Sequence, residues 1–112
     1  MSKVVLIGEK ESGKTKWVKN LIGDPYATYA PTLGCDILKY NVVGLDISFW
    51  DTAGDPNFGG LRNGYLIGSD ACIVFGNNKQ KFIDEFQKLC PNKPIVFFNG
   101  DDTIDDLVMA LT

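Results

Sequence analysis

Val4-Val5-Leu6-Ile7-Gly8-Glu9-Lys10-Glu11-Ser12-Gly13-Lys14-Thr15 is the stretch on which the fold depends. Its first four residues form a continuous apolar run closed by a glycine, the pattern of a strand buried on both faces of a parallel sheet. Two glycines separated by four residues follow, then Lys14 and Thr15. From Lys14 to about Ile22 the apolar positions Trp17, Val18, Leu21 and Ile22 recur at helical spacing, and Gly23-Asp24-Pro25 ends the helix. Strand, glycine-bracketed loop and helix succeed one another without a break.

Working outward, residues 26–34 are turn-rich and polar, and residues 36–43 and 45–50 predict two strands joined at Gly44, an antiparallel hairpin. Glycines at positions 54, 59, 60, 64 and 68 then mark a long pliable loop region with a short helix around 61–67. Ala71-Cys72-Ile73-Val74-Phe75 is another strand of the buried parallel type, and Phe82, Ile83, Phe86 and Leu89 form the apolar stripe of a helix. Pro91 and Pro94 bracket its exit, Ile95-Val96-Phe97-Phe98 is the last strand, and Thr103 followed by Asp106 resembles a capping box opening a terminal helix through Leu111. Strands alternating with helices imply a three-layer α/β fold, with right-handed crossovers and the ligand at the carboxyl ends of the strands.

Composition narrows the function. The 112 residues, 45% hydrophobic and 22% charged, are expected to form one domain spanning 1–112. A formal charge of −3 without a basic block argues against nucleic acid or an anionic membrane as the main partner. The chain has no histidine, which excludes imidazole base catalysis and histidine-ligated zinc. Cys35, Cys72 and Cys90 are scattered among apolar residues and read as buried reduced thiols of a cytosolic or nuclear protein. Secretion, lipidation and membrane-spanning patterns are not found, so no membrane anchor is expected.

The glycine loop carries the chemistry. Polyphosphate is bound by a ring of backbone N–H groups and a helix N-terminus, which requires glycine's conformational freedom and its missing Cβ. The loop from Gly8 through Ser12, Gly13 and Lys16 is the expected cradle, with Lys14 neutralising the β- and γ-phosphates. The Thr15 hydroxyl is expected on Mg²⁺, and Asp51, at the end of an apolar strand in Trp50-Asp51-Thr52-Ala53-Gly54, supplies the second metal group. The Gly54 N–H then lies where it senses a γ-phosphate.

Asp51-Thr52-Ala53-Gly54 resembles the switch II motif of the Ras-superfamily small GTPases, and Tyr29-Ala30-Pro31-Thr32-Leu33-Gly34 resembles their switch I. Phe58-Gly59-Gly60-Leu61-Arg62-Asn63-Gly64-Tyr65 is most similar to the Ran branch, and the resemblance covers roughly residues 3 to 102. It implies a guanine-nucleotide switch with Mg²⁺ and GTP or GDP, Thr32 as a further metal ligand, and protein effectors or regulators at the switch regions. It also implies a mainly parallel five-stranded sheet of order 2-3-1-4-5, lacking the family's last strand and last helix.

Departures from the family pattern bear on catalysis. Where the family has a water-orienting glutamine after the switch II glycine, this chain has Asp55 and then Pro56, so slow hydrolysis is expected. Asp55 can accept a proton from water, but its charge repels a γ-phosphate; turn chemistry is the plainer reading. Lys10 stands where the family has a small residue, and the resemblance implies that a side chain there crowds the catalytic water and an incoming arginine finger; it is otherwise read as a solvated lysine or as a positive charge supplied in cis, with Glu11 beside it pointing outward. The guanine motif Asn-Lys-any-Asp is represented by Asn99-Gly100-Asp101-Asp102, so Asn99 and Asp102 are candidates for the base, or acidic residues favoured at a helix start. Tyr26 packs on the base edge or is a turn aromatic. The resemblance thus assigns Lys14, Thr32 and Asp55 to catalysis.

A strand at 95–98 with nothing beside it is an apolar edge that invites pairing, so a homodimer or an obligate partner is expected there. Two function classes stand: a slow GTPase switch, and a module that holds nucleotide without hydrolysing it and presents its surface to a partner. A kinase-type ATP enzyme is disfavoured, because no lid or substrate-binding region fits in so short a chain.

Overall fold

A computed structural model of the protein describes residues 1–9, 12–23, 28–30, 35–52, 66–77 and 79–112. The apolar run at the start forms strand β1 (Ser2–Gly8), with Val4, Val5 and Leu6 fully buried and Ile7 nearly so. Helix α1 (Lys14–Ile22) follows, and it ends where the sequence says it must: Gly23 takes φ 66°, and its N–H donates to the Lys19 carbonyl at 2.9 Å.

The hairpin is built from β3 (Cys35–Val42) and β4 (Leu45–Thr52), paired antiparallel from Cys35 opposite Thr52 to Val42 opposite Leu45. Val43 and Gly44 close it with φ 52° and 76°, the two left-handed residues of the mirror-image turn that matches strand twist. The chain continues through β5 (Ala71–Phe75), α2 (Lys79–Leu89), β6 (Ile95–Phe97), a single 3-10 turn (Gly100–Asp102) and α3 (Thr103–Leu111).

The five expected strands occur in the expected spatial order, and a sixth extends the sheet. Thr28–Ala30, within a segment whose composition indicates only turns, forms β2 and pairs antiparallel with β3, so the order is β2-β3-β4-β1-β5-β6. The three residues are too few for period-two alternation to register, and the pairing comes from the neighbouring strand. β1 lies parallel to both β4 and β5, and β5 parallel to β6, so the carboxyl ends of these four strands share one rim.

Alternation along β1 divides the core into two layers. Val4 and Leu6 face α1 and α3 through Val18 and Leu107, together with Ile47, Phe49 and Ile73. Val5 and Ile7 face α2 through Phe82 and Phe86, together with Cys72 and Val74. Fully burying side chains of this size contributes about 1.5–3 kcal/mol each. Trp17 wedges α1 against the strand ends, its ring 5.8 Å from those of Phe49 and Phe75 and 5.9 Å from that of Phe98. Helix α1 is thereby clamped onto the rim where the glycine loop lies.

Helix α3 packs on the same face as α1 and covers it with Leu107, so this face is not left bare. Among the described residues, β6 ends the sheet with an open edge. The Cys72 N–H donates to the Pro94 carbonyl at 3.2 Å and the Phe98 N–H to the Val74 carbonyl at 3.0 Å, so alternation turns the backbone groups of Ile95 and Phe97 outward. Phe97 is 50% exposed on that edge, beside a groove of about 510 Å³ that runs along Val96, Phe98, Asp106 and Ala110.

The terminal helix starts at Thr103 as expected, but not through a capping box. Its N-cap is Asp102, which makes no side-chain cap bond, and the fully buried Thr103 hydroxyl turns back to accept the Asn99 N–H at 2.7 Å. The strand-end amide needs an acceptor, and this need outweighs the local cap. Cys72 and Cys90 are buried free thiols, as expected; Cys35's side chain and most of the helix expected around 61–67 lie outside the described residues. No helix among the described residues is long and apolar enough to cross a membrane.

Candidate phosphate-binding site

The loop begins at a contact only glycine permits. Gly8 ends β1 at φ 148°, and a Cβ there would lie 2.6 Å from the Phe75 carbonyl oxygen of β5. A side chain would push the two strands apart at the rim. The loop closes through the Ser12 N–H to Glu9 carbonyl bond at 3.2 Å, and Gly13, at φ 99°, hands the chain to α1, with its carbonyl accepting the Trp17 N–H at 3.0 Å.

Gly13 provides no side-chain cap, and the first turn of α1 carries no acidic residue. The first N–H groups of a helix have no partners within it, and they concentrate roughly half a positive charge at that end. An anion is therefore favoured at this terminus.

Lys14 strengthens that bias from inside the loop. It is only 3% exposed, and its ammonium donates to the Gly8 carbonyl at 3.2 Å, the Glu9 carbonyl at 2.6 Å and the Ser12 hydroxyl at 3.3 Å. A buried cation beside a helix N-terminus places two positive features where one polyphosphate can meet both. Lys16, one helical position beyond Thr15, is exposed.

The start of α1 is tied to the end of β4. The register sets Leu6 opposite Asp51, two residues before Gly8, and the Thr15 hydroxyl donates to Asp51 Oδ2 at 2.6 Å. Asp51 is 4% exposed. A hydroxyl and a carboxylate in contact at the mouth of an anion site are hard oxygen donors, the set Mg²⁺ takes when phosphate oxygens complete its shell. The residues present fit that ion.

Two supports of the site depend on contacts that local sequence does not signal. Gly76, just after β5, has φ 85°, and a Cβ there would lie 3.3 Å from Ser12 Cβ, so this connection buttresses the back of the loop. The only sequence signal was a glycine following a buried strand. At the β6 end, Asn99 and Asp102 are both exposed, and the Asp102 N–H donates to the Asn99 carbonyl at 3.2 Å, with Gly100 at φ 56° between them. The 3-10 turn of three residues keeps Asn99 and Asp102 three positions apart at its two ends. Thr103, whose spacing to Asp106 predicts a cap, instead holds the Asn99 amide.

Gly8, Ser12, Gly13, Lys14, Thr15 and Asp51 thus come together, with Asn99 and Asp102 on the same rim. Lys10, Glu11, Tyr26, Thr32, Gly54 and Asp55 lie outside the described residues.

A mixed sheet whose first strand, parallel to both its neighbours, feeds a glycine loop around a buried lysine, with a threonine joined to a carboxylate on the adjacent strand, defines a P-loop nucleotide-binding domain. Residues 3–101 match the family described as Ras of Complex, Roc, domain of DAPkinase. The chain is 32% identical over 110 residues to the GTP-binding nuclear protein Ran of Giardia intestinalis, covering 81% of this chain and 49% of that protein. The chain belongs to the Roc family of Ras-like GTPase domains and spans about half the length of that Ran protein.

Proposed function

We propose that the chain binds guanine nucleotide with Mg²⁺ and acts as a molecular switch that hydrolyses GTP slowly. The observation that carries the reading is the Lys14 ammonium held inside the loop, beside a Thr15–Asp51 pair closed at 2.6 Å. Lys14 neutralises the β- and γ-phosphates, and the amides of Gly13, Lys14, Thr15 and Lys16 bind their oxygens. Thr15, Asp51 and Thr32 hold Mg²⁺, which spreads the phosphate charge when bound. Asn99 and Asp102 read the guanine edge, Tyr26 packs on it, and the Gly54 N–H reports the γ-phosphate.

Slow hydrolysis follows from Asp55, a negative side chain where a neutral water-positioning group works best, and from Lys10, whose bulk crowds the attacking water. These two residues also support the second reading, a pseudo-GTPase that holds nucleotide and acts as an interaction module. Either way the switch surface engages a protein effector or regulator inside the cell, cytoplasmic or nuclear, and a second copy pairs along the open β6 edge.

Titrating fluorescent GTP, GDP and ATP with and without Mg²⁺, followed by single-turnover hydrolysis, tests the proposal. Binding of GTP and GDP over ATP with slow turnover supports the switch, and binding with no turnover supports the module. Absence of nucleotide binding removes both.

A further inference from the structure

We propose that Thr103 is a positioning residue for base recognition, its buried hydroxyl holding the 99–102 turn so that the Asn99 amide and the Asp102 carboxylate meet a purine edge together. The inference rests on the reading of those two residues as the base-binding pair.

Both stand where their side chains ordinarily act locally. Asn99 is the N-cap of the 3-10 turn and Asp102 the N-cap of α3, positions at which Asn and Asp accept a backbone N–H. Neither makes a side-chain cap bond here. Two hydrogen-bonding groups at the two ends of one exposed turn are thus not committed to their own helices: an amide that both donates and accepts, and a carboxylate that accepts twice. That set suits a base edge carrying two adjacent N–H donors and a ring acceptor, as guanine does, and not adenine, whose corresponding edge lacks the adjacent pair of donors.

The turn must keep its shape for the two groups to act as one. The Phe98 N–H is committed to the sheet through the Val74 carbonyl at 3.0 Å, and the next amide, that of Asn99, to α3 through Thr103 Oγ1 at 2.7 Å. Asp102 N–H to Asn99 carbonyl at 3.2 Å closes the turn. Thr103 is 0% exposed and sits on the helix that Leu107, also 0% exposed, fixes to the core. The hydroxyl therefore transmits the rigidity of α3 to the loop, without touching the ligand itself.

The test compares wild type, Thr103→Val and Thr103→Ser for binding of Mg²⁺·GDP, Mg²⁺·ADP and Mg²⁺·tripolyphosphate. Loss of one neutral hydrogen bond predicts about five- to tenfold weaker GDP binding by Thr103→Val. Tripolyphosphate, which has no base, binds unchanged, and Thr103→Ser keeps wild-type affinity for all three. Unchanged GDP affinity in Thr103→Val, or equal losses for GDP and tripolyphosphate, overturns the inference. Should Thr103→Val not fold, hydrogen exchange on the wild-type chain decides: the Asn99 amide is expected at least tenfold slower than an unstructured amide, and exchange at the unprotected rate overturns the inference. Equal binding of GDP and ADP by the wild type refutes the base reading itself, whereas a wild-type preference for GDP that Thr103→Val leaves intact refutes only the role of Thr103.

Discussion

Replacing Gly8 by alanine should weaken the protein far more than the same change at Gly13, although both glycines belong to one loop. At Gly8 the new Cβ would lie 2.6 Å from the Phe75 carbonyl oxygen and 3.1 Å from Phe75 Cβ, with φ at 148°. The atoms met are backbone and the root of a fully buried ring, so neither can swing aside. Overpacking of this kind costs about 1–3 kcal/mol and a strained backbone about 1–3 kcal/mol more, so a loss near 3 kcal/mol is expected. For a domain of this size that lowers Tm by roughly 10–15 °C. At Gly13, where φ is 99°, none of the described residues lies within 4 Å of the added Cβ. Only the backbone term remains, about 1–2 kcal/mol, while the turn that opens α1 is distorted. Thermal unfolding followed by Trp17 fluorescence gives the first quantity and GDP titration the second. A Gly8→Ala protein melting within 2 °C of wild type, or a Gly13→Ala protein melting lower than Gly8→Ala, would refute the packing argument.

Other predictions follow from single contacts. Gly76→Ala presses a methyl group toward Ser12 Cβ at 3.3 Å and should weaken Mg²⁺·GDP binding several-fold by titration, more than its effect on Tm implies. Leu107→Ala, fully buried beneath α3, should cost about 2–5 kcal/mol in urea unfolding. Burial, and secondarily the neighbouring Cys90, pushes the Cys72 thiol well above its ordinary value of 9.0. The folded form thus keeps its proton while the unfolded form loses it, so stability is flat below about pH 8 and falls above pH 9 by up to ~1.4 kcal/mol per pH unit. Urea midpoints of wild type against Cys72→Ala across pH 7–10.5 measure this, and the variant should show the shallower decline. Light scattering should show a dimer that Phe97→Lys, on the half-exposed β6 edge, converts to a monomer.

The parts of the fold written as runs in one segment are legible in the sequence. Val4–Ile7 and Ala71–Phe75 are buried on both faces because they sit in mid-sheet, and their unbroken apolar character says so. Gly23 announces a helix end because only a left-handed residue closes it this way. Lys14 and Thr15 stand out because a phosphate loop needs them at fixed spacing, and Asp51 because it ends an apolar strand; that the Thr15 hydroxyl meets Asp51 Oδ2 is visible only in the fold. What stayed hidden depended on contacts between distant segments. Nothing in the residues around Gly76 says that Ser12 is its neighbour, and the Thr103-to-Asp106 spacing reads as a cap until the Asn99 amide is seen to claim the hydroxyl. β2 exists only because β3 offers it an edge.

The central claim is that the 8–15 loop, with one buried ammonium, grips a magnesium-bound polyphosphate. Calorimetric titration of Mg²⁺·GDP into wild type and Lys14→Ala tests it most directly, with circular dichroism showing that both are folded. Saturable binding by wild type that weakens at least a hundredfold in folded Lys14→Ala is the predicted result. Equal affinity in the two proteins, or no heat of binding with either, would contradict it.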